Sequence, residues 1–424
     1  MFTKIIIENI LGINNKIELD LMATPKKKEK KDTIVEIETN VNVNKVNGII
    51  GANASGKSSI IHSLLELRVF LAQYEIVENA KKKNDDKFLK IIYNRFLPER
   101  NFENLNEDSE ITLEMYIPNG EIPGYYTYSL IYNNEKLNEK LIYRKKYRSK
   151  KYQVIENFIT ETKRSDIGYK CFYKDSILKD YEEVGKQLVD KFNETIKYYK
   201  TFYQYYVGDS IYQIGINDID YINMEETIDF IKNNEDIIVR LLSIVDPKIE
   251  NVIFENDEDG EEIVKFKTIR NVKLNIWDLS TGTRRILQLL ITILKTIKNN
   301  GVMLCDEIET ALHRELVQLI IQLYLKNVNC SQLFFTTHLP EILDQSNMRN
   351  DQKFYLSSKN DKVVIQKISQ INARSDYSIS KNYYTDEHFM PQPSEKEICD
   401  FCEYVISKNN LWRRALNWKL NQII

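Results

Sequence analysis

The stretch VNGIIGANASGKSSIIHSLLEL, residues 46–67, leaves this chain few folds. It opens with a short apolar run, Val46–Ile50, the length of one buried strand. It closes on a helical stripe, with Ile60, Ile61, Leu64, Leu65 and Leu67 falling at helix spacing. Between them, Gly51-Ala52-Asn53-Ala54-Ser55-Gly56-Lys57-Ser58 fits the pattern G-x-x-x-x-G-K-[ST]. Glycines there let the backbone wrap until successive N–H groups converge on one anion, and the helix N-terminus adds partial positive charge. A strand–loop–helix unit of this kind belongs to an open α/β sheet that binds ligands beyond the carboxyl ends of its strands. A chance match in a glycine-bearing turn would not need the flanking strand and helix. The residues expected to line ATP are Gly51, Asn53, Ala54, Ser55, Gly56, Lys57, Ser58 and Ser59. Lys57 should reach the β- and γ-phosphates, and Ser58 should hold Mg2+.

Two later strands read as ending at the same edge. In VMLCDEIET (302–310), an apolar strand delivers Asp306 and Glu307 at its carboxyl end. Asp306 is expected on Mg2+, directly or through water, and Glu307 on the attacking water. Alone, this could be an acidic surface junction; behind a phosphate loop it reads as catalytic. In FFTTHLPEIL (334–343), a buried strand ends at Thr337-His338. A histidine there can hydrogen-bond the γ-phosphate and report its presence. A fourth stretch, DLSTGTRRILQLL (278–290), sets Ser280, Thr281 and Gly282 before a long apolar helix, with Arg284 and Arg285 in its first turn.

In order and character, GANASGKSS, LSTGTRR, MLCDEIETALH and TTHLPEIL resemble the heads of ABC-class ATPases. The similar branch includes SMC proteins, RecF, OLD-family ATPases and AAA-family ATP-binding proteins of anti-phage defence operons such as the PARIS ATPase. The resemblance covers roughly residues 1–75, 105–145 and 225–390. It implies an ABC/SMC-type P-loop fold: a mixed central sheet with helices and an antiparallel β subdomain. It further implies that two heads close face to face around two ATP molecules. Ser280, Thr281, Gly282 and Arg284 would then touch the γ-phosphate held by the partner copy's loop, with Arg285 adding charge or pairing across the interface. Implied partners are a second copy, as a dimer or higher oligomer, and an effector protein from the same operon. The implied activity is ATP hydrolysis, working as a switch in defence; a DNA-repair ATPase that binds DNA directly is the alternative. Two departures stand out. Only Gln73 offers itself as the glutamine that the family uses on Mg2+, and Leu312-His313-Arg314 replaces the usual Leu-His-Pro, which puts His313 near the dimer interface.

The rest of the chain sets boundaries. It has 424 residues, 42% of them hydrophobic, so several lobes can share a real core. A formal net charge of −3 neither supports nor excludes nucleic acid. No run approaches the roughly 20 apolar residues of a membrane span, and MFTKIIIENILGI lacks the core of a signal peptide. Five cysteines do not make a disulfide framework in so long a chain, so a cytoplasmic location is expected.

Strands are expected at 2–10, 15–21, 33–43, 110–117, 125–132 and 137–144. Residues 145–250 read as mostly helical, including one helix over about 224–245, and 251–267 reads as a hairpin turning at Asp259-Gly260. The division is a head at 1–145 and 225–370, a mostly helical insertion at 146–224, and a C-terminal helical extension at 371–424. RKKYRSKKY (144–152) interleaves cations and tyrosines, as a nucleic-acid contact or as a solvated hairpin end. PKKKEKKD (25–32) reads as an exposed loop, and the tyrosines of 198–206 as helical packing. Cys399 and Cys402 form CxxC near His388, but Ser394 and Glu397 begin a helix there, so the cysteines read as packing rather than zinc ligands. Trp412 and Trp418 mark an amphipathic end suited to docking.

Overall fold

A computed structural model of the chain describes residues 1–24, 31–82, 95–96, 98–165, 168–172, 211–213, 225–371 and 378–383, less 102–103, 105–106, 120, 134–135, 258–259, 328 and 360–361. The apolar run before the glycine-rich loop, β5 (Val46–Gly51), lies inside a sheet that has six strands among the described residues. On one side it pairs in parallel with β17 (Gln332–Thr337), which is followed by β16 (Val302–Cys305) and β12 (Ile211–Gln213). On the other side lie β18 (Lys353–Lys359), also parallel, and β19 (Lys362–Lys367), the one antiparallel member. Because β5, β16 and β17 run the same way, their carboxyl ends reach one edge together.

The central strands are buried on both faces, which is why they read as mainly apolar runs, interrupted in β5 by Asn47 and Gly48, rather than alternating ones. Successive residues still point to opposite cores. Leu333 and Phe335 join one core, with Met303, Cys305, Val46 and Ile50. Phe334 joins the other, with Val302, Leu304 and Ile49. Helices cover the first face: α4 (Thr281–Lys298), α5 (Arg314–Lys326) and α6 (Pro340–Gln345). Gly48 permits close packing there, since a Cβ on it would stand 2.7 Å from Leu343 and Phe335 side-chain atoms. The second face is covered by α1 (Lys57–Lys82), through Ile60, Ile61, Leu64, Leu67 and Phe70, and by an antiparallel sheet.

That sheet has eight strands among the described residues, in the order β2 (Ile17–Asp20), β1 (Phe2–Glu8), β7 (Ser109–Ile117), β8 (Gly124–Tyr132), β9 (Lys136–Arg144), β10 (Gln153–Ser165), β11 (Gly168–Phe172), β6 (Arg95–Phe96). The alternation in YYTYSLIY serves this sheet: Tyr126, Tyr128, Leu130 and Tyr132 bury one face of β8. Tyr132 resolves its hydroxyl on Pro98 O at 2.6 Å and Tyr128 on Glu139, so buried tyrosine keeps its polar tip satisfied. A small three-stranded sheet, β13 (Ile249–Asn256), β14 (Glu262–Thr268) and β15 (Lys273–Leu274), leads into α4.

Four expectations change. Residues 33–43 form a hairpin, β3 (Ile34–Glu38) with β4 (Val41–Asn44), turned by Asn40 at φ 64°. The helix of about 224–245 is two, α2 (Glu225–Lys232) and α3 (Glu235–Val245), because Asn233 and Asn234 interrupt it and their side-chain amides turn back onto Asp229 and Phe230 carbonyls. The first helix, whose expected apolar stripe ends at Leu67, runs on to Lys82. Within 146–224, read as mostly helical, the described residues beyond Tyr152 form strands. β10 adds to the open edge of β9 over Gln153–Glu161, and a stretch rich in Val, Ile, Phe and Thr takes the pairing that edge offers. The 198–206 tyrosines, Cys399, Cys402, His388, Trp412, Trp418 and the lysines of 26–30 lie outside the described residues, as does most of 371–424; within it lie only Ile371, the end of α7 (Ile368–Ile371), and Ser378 with α8 (Ile379–Tyr383). Among the described residues, no helix is long and apolar enough to cross a membrane.

Candidate active site

The glycine-rich loop leaves β5 and enters α1 through two left-handed residues, Ala54 at φ 59° and Gly56 at φ 98°. At Gly56 this is what glycine is for; at Ala54 it costs strain that surrounding structure must hold. Lys57 is 4% exposed. Its ammonium donates to Gly51 O at 2.7 Å and Ala52 O at 2.8 Å. Burial lowers its pKa to about 8, against the opposing pull of Asp306, Glu307 and Glu309. The Ser55 hydroxyl is buried with no hydrogen-bond partner. Ser58 is half-buried at the first turn of α1, and the hydroxyl of Ser59, instead of facing the loop, accepts the Gly12 N–H at 3.3 Å.

Asp306 and Glu307 follow β16, and one side chain from β17 fixes both. The Thr336 hydroxyl donates to Asp306 Oδ1 and accepts the Glu307 N–H at 2.8 Å. Glu307 adopts φ 46°, a conformation that non-glycine residues rarely hold without support. Its Oε1 lies 3.1 Å from His338 Nε2, and its Oε2 is 3.4 Å from the Thr310 hydroxyl. Because an ionised carboxylate only accepts, the ring nitrogen donates here. The His338 N–H in turn donates to Glu309 Oε1 at 2.6 Å. The edge therefore gathers Lys57, Asp306, Glu307 and His338. Sequence reasoning passed over Thr336 and Glu309; the signal was present, in a hydroxyl-rich pair closing an apolar strand and in a third carboxylate in DEIE.

The donor set suits a nucleotide with Mg2+. Loop N–H groups, a lysine and an orphaned buried hydroxyl meet phosphate, while a hydroxyl and one carboxylate supply the hard oxygens that Mg2+ takes alongside phosphates. The side chain of Gln73, suggested for Mg2+, lies outside the described ones.

Ser280 caps α4: its hydroxyl accepts the Thr283 N–H at 3.1 Å and lies 2.8 Å from Thr283 Oγ1. Ser280 and Thr281 are exposed. A Cβ on Gly282 would come 3.1 Å from Ala311 O, so glycine admits the loop after Glu307 against the helix N-terminus. The Arg284 guanidinium lies 5.5 Å over the ring of exposed Trp277. Arg285 corrects the expectation for it: it is 4% exposed and turned toward Cys305, because one residue rotates the helix by about 100° into the core. His313 is exposed at the start of α5, and its side chain makes no cap bond.

Residues 46–344, which contain all four motifs, match the protein family described as "AAA domain, putative AbiEii toxin, Type IV TA system". The chain belongs to this family. As a member it is a P-loop AAA domain, and both strand ends and the α4 N-terminus lie inside the matched span. No curated protein matches it in sequence. Among solved structures, it is similar to an Smc head bound to the C-winged helix domain of ScpA, at 14% identity and TM-score 0.46, over 88% of this chain and 99% of that one. It is also similar to the SMC head domain from Thermotoga maritima, at 13% identity and TM-score 0.39, over 86% and 98% of the two chains. A third is an Smc head with extended coiled coil bound to ScpA from Pyrococcus furiosus, at 13% identity and TM-score 0.41, over 87% and 97%.

Proposed function

We propose that this AAA domain is a cytoplasmic ATPase that pairs with a second copy around two ATP molecules and works as a nucleotide-controlled switch. The observation that carries the reading is the Glu307–His338 pair, 3.1 Å apart at the same sheet edge as Lys57. In this reading the loop residues Gly51, Asn53, Ala54, Ser55, Gly56 and Ser59 cradle ATP. Lys57 leaves the Gly51 and Ala52 carbonyls for the β- and γ-phosphates. Ser58 and Asp306 hold Mg2+, which supplies positive charge against the phosphate oxygens. Glu307 takes the proton of the attacking water, and His338 orients Glu307 and reaches the γ-phosphate. Water attacks phosphorus, the bond to ADP breaks, and phosphate leaves.

Ser280, Thr281, Gly282 and Arg284 act on the partner copy's γ-phosphate. The exposure of Ser280 and Thr281 supports this role, because a helix N-terminus open to solvent, with Arg284 stacked on exposed Trp277 beside it, suits an anion. The family description names a toxin of a type IV toxin–antitoxin system. With the resemblance to PARIS-like ATPases, that supports a sensor in anti-phage defence that holds or releases an effector from its own operon. The head at 1–145 and 225–370 would carry the chemistry, and 146–224 and 371–424 would meet the partner.

Mixing copies tests the pairing. Lys57→Ala and Ser280→Arg are each inactive alone, and mixed they regain part of the wild-type turnover, because one composite site keeps both good halves. A mixture as silent as its components, beside an active wild type, defeats shared sites.

One further observation favours a nucleic-acid partner. The Arg144 guanidinium lies 5.3 Å over the Tyr152 ring and Arg148 lies 5.1 Å over Tyr147, amid exposed Lys145, Lys146, Lys150 and Lys151. A DNA-binding ATPase would show turnover stimulated by duplex DNA, lost when those four lysines and Arg148 are neutralised; unstimulated turnover excludes it.

A further inference from the structure

Glu309 is the carboxylate that the proposed reaction leaves without a task. It stands two residues past Glu307 in the same loop, yet its Oε1 reaches across to β17 and accepts the His338 N–H at 2.6 Å. That bond fixes the backbone of the residue whose ring meets Glu307 at 3.1 Å. The second oxygen, Oε2, is buried and has no hydrogen-bond partner. Glu309 as a whole is half-buried, but a buried carboxylate oxygen left without a donor carries a cost. Among the described residues no other side chain accepts that N–H: Thr336 grips Asp306 and Glu307, while Thr337 Oγ1 accepts the Leu339 N–H at 3.1 Å. The backbone at the other end of the loop is strained as well, with Glu307 at φ 46° and Ala311 at φ 60°. The loop is therefore tied at Glu307, at Glu309 and, through Ala311, against Gly282 of the α4 N-terminus.

We infer that Glu309 is a positioning residue, which sets His338 at the distance from Glu307 that hydrolysis needs. The inference rests on the ATPase reading above. Glu309 touches neither ATP nor water; it acts through the His338 backbone. Its negative charge also faces Lys57, so charge and hydrogen bonding must be separated.

Glu309→Ala and Glu309→Gln separate them. The glutamine carbonyl can still accept the His338 N–H, but the charge is gone. With Glu309→Ala, kcat falls about tenfold or more, the scale of losing one hydrogen bond to a charged group, while KM for ATP stays within about twofold. Glu309→Gln restores kcat to within about threefold of wild type, since the bond survives at neutral strength. Thermal melting and titration with a fluorescent ATP analogue, run on full-length protein, show that both variants are folded and bind nucleotide. If Glu309→Ala keeps wild-type kcat, or Glu309→Gln falls as far as Glu309→Ala, positioning is wrong. If Glu309→Ala does not fold, Glu309→Gln decides alone: near wild-type kcat upholds the bond, and a loss equal to that of Glu307→Gln overturns it. A wild type without ATP turnover fails the ATPase reading instead, and is seen before any variant is made.

Discussion

At the edge formed by β5, β16 and β17, polar groups from different elements answer one another, whereas at the N-terminus of α4 the cap is bonded within its own first turn and Ser280 and Thr281 stand exposed. Lys57 is held by two loop carbonyls, Glu307 by His338, and Asp306 by Thr336. In the proposed reaction Lys57 would exchange its carbonyls for phosphate oxygens and Asp306 would turn to the metal, while Glu307 would keep His338. At α4, Ser280 spends its acceptor capacity on its own helix cap, Thr281 stands exposed, and Arg284 waits over Trp277. The first region is a preorganised network with titratable groups and backbone strain. The second is a rigid dipole end with a close-packed glycine and no carboxylate of its own. Such a difference is what a composite site requires: one half does chemistry and the other supplies fixed positive potential. Within one chain the two halves meet where Gly282 lies against the Ala311 carbonyl and where Arg285 turns toward Cys305.

The largest expected effect comes from disabling the chemical half while leaving the other intact. Glu307→Gln keeps shape and a hydrogen-bonding partner for His338 but removes the base. ATP turnover should fall about 10²–10⁴-fold, the usual contribution of a positioned general base. ATP should still bind, and the protein should elute as a larger, ATP-loaded species in gel filtration. Loss of turnover without that species would mean that pairing does not depend on ATP, and the contrast between the regions would then describe two unrelated features.

Much of this contrast was legible in the chain. The short, mainly apolar runs at 46–50, 302–305 and 333–336 announced strands buried on both faces, and the polar residues that close them announced a functional edge. Local pattern is enough there, because a parallel strand has no solvent face to encode. What the sequence hid is set by tertiary contact. Thr336 and Glu309 matter through partners 29 or 30 residues away in the chain. Arg285 read as an interface charge because only helix phase, fixed by packing, separates it from Arg284. Strand β10 read as helical because its propensity is mixed and the open edge of β9 decides its state. The break at Asn233-Asn234 was visible in principle, as paired asparagines compete with the helix for backbone hydrogen bonds.

A smaller effect sharpens the comparison, because only one region carries a group that titrates near neutrality. Burial lowers Lys57 to about 8 in the nucleotide-free protein, while Ser280, Thr281 and Gly282 have nothing to ionise. Phosphates placed against the ammonium favour its charged form, so its pKa must rise on binding ATP. The sign follows from linkage. A group whose pKa is higher in the bound state contributes fully below its free value, and that contribution is lost as pH climbs from the free value through the bound one. ATP affinity measured by calorimetry should therefore be flat up to about pH 7 and about tenfold weaker by about pH 9, with a proton drawn from the buffer on binding above about pH 8. Subunit affinity of the ATP-loaded Glu307→Gln protein, read at saturating ATP, should not follow that curve, since the α4 surface has no proton to lose. An ATP affinity that is level across this range would mean that Lys57 stays charged in the free loop. The two carbonyls of Gly51 and Ala52 would then hold it more strongly than burial weakens it, and the first region would be as indifferent to pH as the second.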